Sequence, residues 1–125
     1  MINLINLTPH ELSIIDYEGN PITLKSQVLD FPETKAARIA EEFETEENLE
    51  YGMFEIPVQS KQFLGVIDLP VPRKNTVYVV SSMVFAQVSH RNDVVAPGPL
   101  IRNEQGHPIG CRGLTAHPGG VVVPQ

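Results

Sequence analysis

The amino-acid sequence predicts an α+β fold, mainly antiparallel β-sheet hairpins with one short helix at about residues 82–89. Three observations carry that expectation. Eleven prolines and nine glycines are scattered along all 125 residues, which suits short strands joined by turns and argues against long helices. Apolar residues recur with period two in several short segments. One segment, after Ser81-Ser82, instead carries an i, i+4 apolar pair, Val84 and Val88, behind a favoured helix cap. With 42% hydrophobic and 19% charged residues the composition is globular, and the length fits a single domain.

The first strand is expected within Met1–Leu7, where Ile2, Leu4 and Leu7 punctuate an apolar stretch. Residues 11–16 form a second, and the turn Tyr17-Glu18-Gly19-Asn20-Pro21 reverses the chain into a third at 22–25. Residues 36–46 have helical propensity, yet Arg38-Ile39-Ala40 sits among strands, so an extended edge strand is expected there. Residues 54–58 and 63–67 read as another pair of strands, with Pro57 putting the first at an edge or bulge. A stiff turn, residues 69–75, precedes Thr76-Val77-Tyr78-Val79-Val80, the strongest core strand because it is β-branched and aromatic throughout. The helix follows and ends at Arg91-Asn92-Asp93. Residues 94–98 lead into Leu100-Ile101-Arg102, Asn103 to Gly106 make a hairpin turn, and 107–114 return as its partner strand. The single ligand-binding β-rich domain is thus expected to span 1–114, with 115–125 a loosely ordered tail.

Charge and cysteine usage narrow the function classes. The formal net charge is −6, with eleven acids against three bases in residues 1–50 and four acids against six bases afterwards. Six of the acids lie within residues 41–50, a run expected to be a solvated loop or edge face. The overall sign opposes binding to long nucleic acid, which requires many phosphate contacts. No apolar run approaches the ~18 residues of a spanning helix, and no basic residue precedes the N-terminal apolar stretch, so neither a membrane nor a secretion signal is expected. The lone Cys111 forms no internal disulfide, which points to a reducing cytoplasm.

Nothing in the sequence assembles a catalytic site, a metal site or a cofactor loop. There is no Gly-x-Ser-x-Gly elbow, Cys111 reads as a buried structural thiol, and His10, His90, His107 and His117 lack metal-ligand spacing. What remains is the geometry of an anion site. A strand ending at Val80 runs into a helix whose first turn holds Ser82 and Met83. Arg91, Asn92, Arg102 and Arg112 follow in the next elements, and guanidinium forks match phosphate oxygens. Met83 or Phe85 can supply a face for a base. Capping alone accounts for the serines equally well, and each other residue taken singly reads as ordinary surface or core.

Several segments carry a resemblance. Ile5-Asn6-Leu7-Thr8-Pro9-His10 opens the chain, and Leu69-Pro70-Val71-Pro72 precedes Thr76-Val77-Tyr78-Val79-Val80-Ser81. Arg91-Asn92-Asp93, Arg102-Asn103-Glu104 and Ile109-Gly110-Cys111-Arg112 complete the set. Together they resemble the first-described family of phage Thoeris anti-defence proteins, over most of residues 1–114 apart from 41–62. The resemblance implies a sponge of the host cell cytoplasm during infection. Such a protein binds cyclic ADP-ribose isomers, and in some members cyclic oligonucleotides, without degrading them. It further implies dimers that build into hexamers, with pockets at dimer interfaces lined by an aromatic residue, an asparagine and arginines. Asn92 matches the asparagine and Arg112 an arginine of the last hairpin. The aromatic position falls near Met83, which has no ring, so the thioether or Phe85 stands in. The rival expectation is a virion structural or assembly protein with no small-molecule ligand.

Overall fold

The computed structural model describes residues 1–30 and 35–125. Twelve strands and two short helices are seen among them, and the α+β, mostly β character is as the sequence predicts. A four-stranded sheet is ordered β1 (Asn3–Asn6), β8 (Thr76–Val79), β9 (Val94–Pro97), β12 (Leu114–Thr115). A second is ordered β10 (Leu100–Arg102), β11 (Pro108–Arg112), β2 (Leu12–Ile15), β3 (Pro21–Leu24). Five of the eight strand pairings are antiparallel, but the middle of each sheet is parallel: β1 with β8, β8 with β9, and β11 with β2.

The parallel centre explains the sequence of β8. A strand with parallel neighbours on both sides and layers on both faces reads as a continuous apolar run rather than an alternation. Residues 76–80 are all buried. Tyr78 and Val80 point into one core with Leu7, Val84, Val88 and Val94, while Val77 and Val79 point into another with Val95, Leu12, Leu24 and Val123. The link from β8 to β9 is a crossover through helix α2 (Ser82–Ala86), as a parallel pair requires.

Helix α2 is shorter than the expected 82–89. Gln87, Val88 and Arg91 donate to carbonyls three residues back (Val84, Phe85 and Val88), so the chain tightens into turns after Ala86. The Val84–Val88 pair is nevertheless buried as its spacing predicts. Ser81 is the cap: its Oγ accepts from the Val84 N–H at 3.3 Å. Ser81→Ala is therefore expected to cost about 0.5–2 kcal/mol in urea denaturation. Ser82→Ala, inside the helix and exposed, should stay within about 0.5 kcal/mol.

A buried asparagine shapes the N-terminal turn. The Asn6 amide donates to the carbonyls of His10 and Leu24, and its Oδ1 accepts from the Thr8 N–H and hydroxyl. Asn6 and Thr8 are thus polar core residues holding β1, β2 and β3 in place. A further helical turn, α1 (Gln27–Asp30), lies beside β1 and has no counterpart in the sequence reading.

Residues 38–67 depart furthest from expectation. Of the two alternatives for the acidic run, the edge face holds for most of it: β4 (Arg38–Thr45) pairs with β7 (Gln59–Ile67) and β5 (Leu49–Tyr51) with β6 (Phe54–Ile56), with Glu46 and Glu47 in the link between β4 and β5. Residues 54–58 and 63–67 are strands, but each pairs backwards across the ribbon and not with the other. The edge-strand reading of 36–46 holds, because Ala37 and Ile39 pack on the core with period two.

The C-terminal segment is fastened down rather than loose. Leu114–Thr115 adds β12 to the first sheet, the Val122 N–H donates to the Asn92 carbonyl, and the Asn75 N–H to the Pro124 carbonyl. Val123 packs into the second core and His117 is buried. No helix among the described residues is long and apolar enough to cross a membrane.

Candidate functional site

The seven residues singled out from the sequence do not converge in one chain. Ser82 and Met83 stand exposed on α2, Met83 with 60% of its surface free. The helix has five residues, little more than one turn, so it presents only a small dipole at Ser82. Phe85 is already occupied. Its ring stacks on that of His117, centroids 3.8 Å apart and planes within 2°. His117, a residue of the segment expected to be loose, is the aromatic partner missed by the sequence reading. Its buried Nε2 has no hydrogen-bond partner among the described residues.

Arg91 is a structural cation. Its Nε and Nη2 donate to the two Asp93 carboxylate oxygens at 2.8 and 2.9 Å, and Nη2 also donates to the Pro70 carbonyl at 2.9 Å. Both side chains are largely buried. The hydrogen bond to Arg91 holds the Asp93 carboxyl below the usual carboxylate range, and the same bond raises the guanidinium further. Arg91 thus pins the proline-rich turn to the start of β9, with its fork already engaged. Asn92 beside it is exposed and lines, with His90, Pro72 and Pro124, an open cleft of about 280 Å³.

Arg102 serves its own hairpin. Its Nη1 donates to the Gly106 carbonyl at 2.9 Å, while Asn103 Oδ1 accepts from the N–H groups of Gln105 and His107. That side-chain-bonded turn is what the sequence Asn103–Gly106 encodes.

Arg112 is different. Register pairs Cys111 with Ile14 and Arg112 with Ile15 across the parallel β11–β2 junction. Cys111 and Ile14 are buried, so alternation turns Arg112 to the outer face, where it is exposed. No hydrogen bond or ion pair to a described residue holds its guanidinium. It borders a cleft of about 480 Å³ with Ile15, Ile22, Leu114, Asp16 and Tyr17. Asp16 Oδ1 accepts from the N–H groups of Glu18 and Asn20 at 2.9 Å, a local turn that presents the Tyr17 ring fully to solvent. The cleft therefore combines an apolar wall, a free guanidinium and an aromatic ring. Tyr17 was read from the sequence only as a turn residue, and its approach to Arg112 depends on a strand pairing of residues almost a hundred positions apart.

Among the described residues, neither the Asn92 cleft nor the Arg112 cleft pairs a nucleophile with a base. No protein-family model matches the chain, and no curated protein or solved structure does either.

Proposed function

We propose that the protein binds a small cyclic nucleotide of the ADP-ribose class and sequesters it unchanged, as a homo-oligomer in the cytoplasm of an infected host. The observation that carries this reading is the unpartnered Arg112 guanidinium beside an apolar cleft edged by Tyr17. A phosphate needs a charge-assisted fork, a base needs a flat apolar face, and a cleft of this size suits a small ligand. The motif set running from Ile5 to Arg112 supports the same ligand class. Asn92, His90 and Arg112 border separate open clefts, so a second copy is what would enclose the ligand and give the sub-micromolar affinity, about −8 kcal/mol, that a sponge requires. Cyclic oligonucleotides are a further ligand class for the same protein.

Calorimetry with cyclic ADP-ribose isomers tests the proposal. Arg112→Ala is expected to weaken binding ten- to a hundredfold, since a charge-assisted contact is worth roughly 1.5–3 kcal/mol. The fold should be untouched, because the side chain supports nothing else. Affinity within threefold of the parent would remove Arg112 from the site. Chromatography of the released ligand should return the cyclic compound; a linear product would make the protein an enzyme. The exposed ribbon 38–67 is the one feature that favours the rival reading, a virion assembly protein, and such a protein would bind none of these nucleotides.

A further inference from the structure

At its base the ribbon 38–67 packs on the core of the body through Ile39 and Val66, next to the buried Ala37. From Glu42 to Leu64 every residue is exposed except the half-buried Val58. The tip sorts its side chains by face. Register places Leu49 opposite Ile56 and Tyr51 opposite Phe54, with Glu50 opposite Glu55 between them. Opposed residues share a face and neighbours along a strand alternate. One face of the tip is thus wholly apolar and the other wholly acidic. The apolar four are 61%, 43%, 72% and 69% exposed in the order named, and Met53 at the turn is almost entirely so. A two-stranded hairpin does not bury its own face and is marginal alone in water.

We propose that the tip of this ribbon is a dimerisation arm, its apolar face packing against the same face of a second copy. The proposal rests on the reading of the protein as a homo-oligomer and specifies the surface. Three arguments select a second copy. The apolar face of the tip carries no charge with which to choose a partner of opposite sign, so a matching apolar face is its complement. A two-fold contact presents one patch to itself and supplies that complement automatically. The area also fits: the exposed apolar side chains of the tip amount to on the order of 600 Å² per copy, close to the ~800 Å² per partner of a standard interface once a polar rim is included. Finally, residues 38–67 carry seven acids against two bases, Arg38 and Lys61. Pairing face to face leaves Glu50 and Glu55 in water, whereas burying the other face would bring carboxylates together.

Light scattering on the full chain, parent and Tyr51→Glu/Phe54→Glu, tests this. The parent is expected at an even multiple of the chain mass at micromolar concentration and the double variant at a lower multiple, with unchanged circular dichroism because the tip lies outside both cores. Glu50→Gln/Glu55→Gln should keep the parent's mass, and added salt should strengthen association by screening the acidic faces. A monomeric parent, or a double variant with the parent's mass, overturns the proposal. Nucleotide affinity of the parent is measured separately, and its absence would sink the ligand reading while leaving the arm in place.

Discussion

Asp93→Asn is expected to lower the unfolding free energy by about 3–5 kcal/mol, the usual cost of removing one partner from a buried ion pair. The carboxylate is 5% exposed and takes both arms of the Arg91 fork, and that guanidinium is only 14% exposed. Asparagine keeps one acceptor oxygen but removes the counter-charge and sets an amide NH2 against the second arm of the fork, so Arg91 keeps a buried charge that nothing neutralises. The turn preceding β8 and the start of β9 lose their clamp together. The same pair gives a pH dependence. Because the folded-state pKa of Asp93 is depressed, its contribution is fully present above the unfolded value near 4 and disappears as pH falls through the lower folded value. Urea denaturation of parent and variant should therefore show the largest gap near neutral pH and a narrowing gap in acid. A loss under about 1 kcal/mol at pH 7 would mean that the pair contributes little beyond its own desolvation.

Gly98→Ala is expected to cost about 3 kcal/mol, the upper end for inserting a methyl group where nothing can yield. A Cβ at Gly98 would collide with the Arg112 carbonyl oxygen and stand 2.8 Å from that of Gly113, both backbone atoms. Gly98 and Pro99 cross β11 at this point, where the Gly98 N–H donates to the Gly113 carbonyl and the Arg112 N–H to the Pro99 carbonyl. The chain must separate there, and the backbone bearing Arg112 moves with it. Thermal melting and nucleotide calorimetry on the one variant should both register the change. A melting temperature equal to the parent's would show that the crossing is looser than its geometry implies.

The strands of the body are legible in the sequence because their signals are local: the β-branched run at 76–80, the side-chain-bonded turns at Asp16 and Asn103, and the serine cap before Val84. The parallel pairings are not, since no local pattern announces that Asn3 will lie beside Thr76 or Cys111 beside Ile14. The acidic run is legible only as a choice between loop and edge strand. Glu41, Glu42 and Glu44 sit on β4 and Glu50 on β5, while Glu46 and Glu47 link the two strands; charge is tolerated along such an exposed ribbon, and composition alone does not separate a loop from an edge strand. The site is legible in part. Arg112 is found by alternation from Cys111, but the sequence carries no sign that Arg91 is claimed by Asp93, Arg102 by its own turn, or one face of Phe85 by His117. Those partners are chosen by the folded structure.

The pairing of the first strand with the eighth has a consequence in time. β1 has no neighbour in its sheet until Thr76 to Val79 have been made, and the second core stays open until Val123 arrives to fill it. Contacts this distant in the chain tend to form slowly, on the order of milliseconds to seconds. Meanwhile the ribbon, whose described strands pair with one another, is free to close early. Its glutamates put charge beside an exposed apolar hairpin, a placement that disfavours aggregation of such a segment while the body is still open.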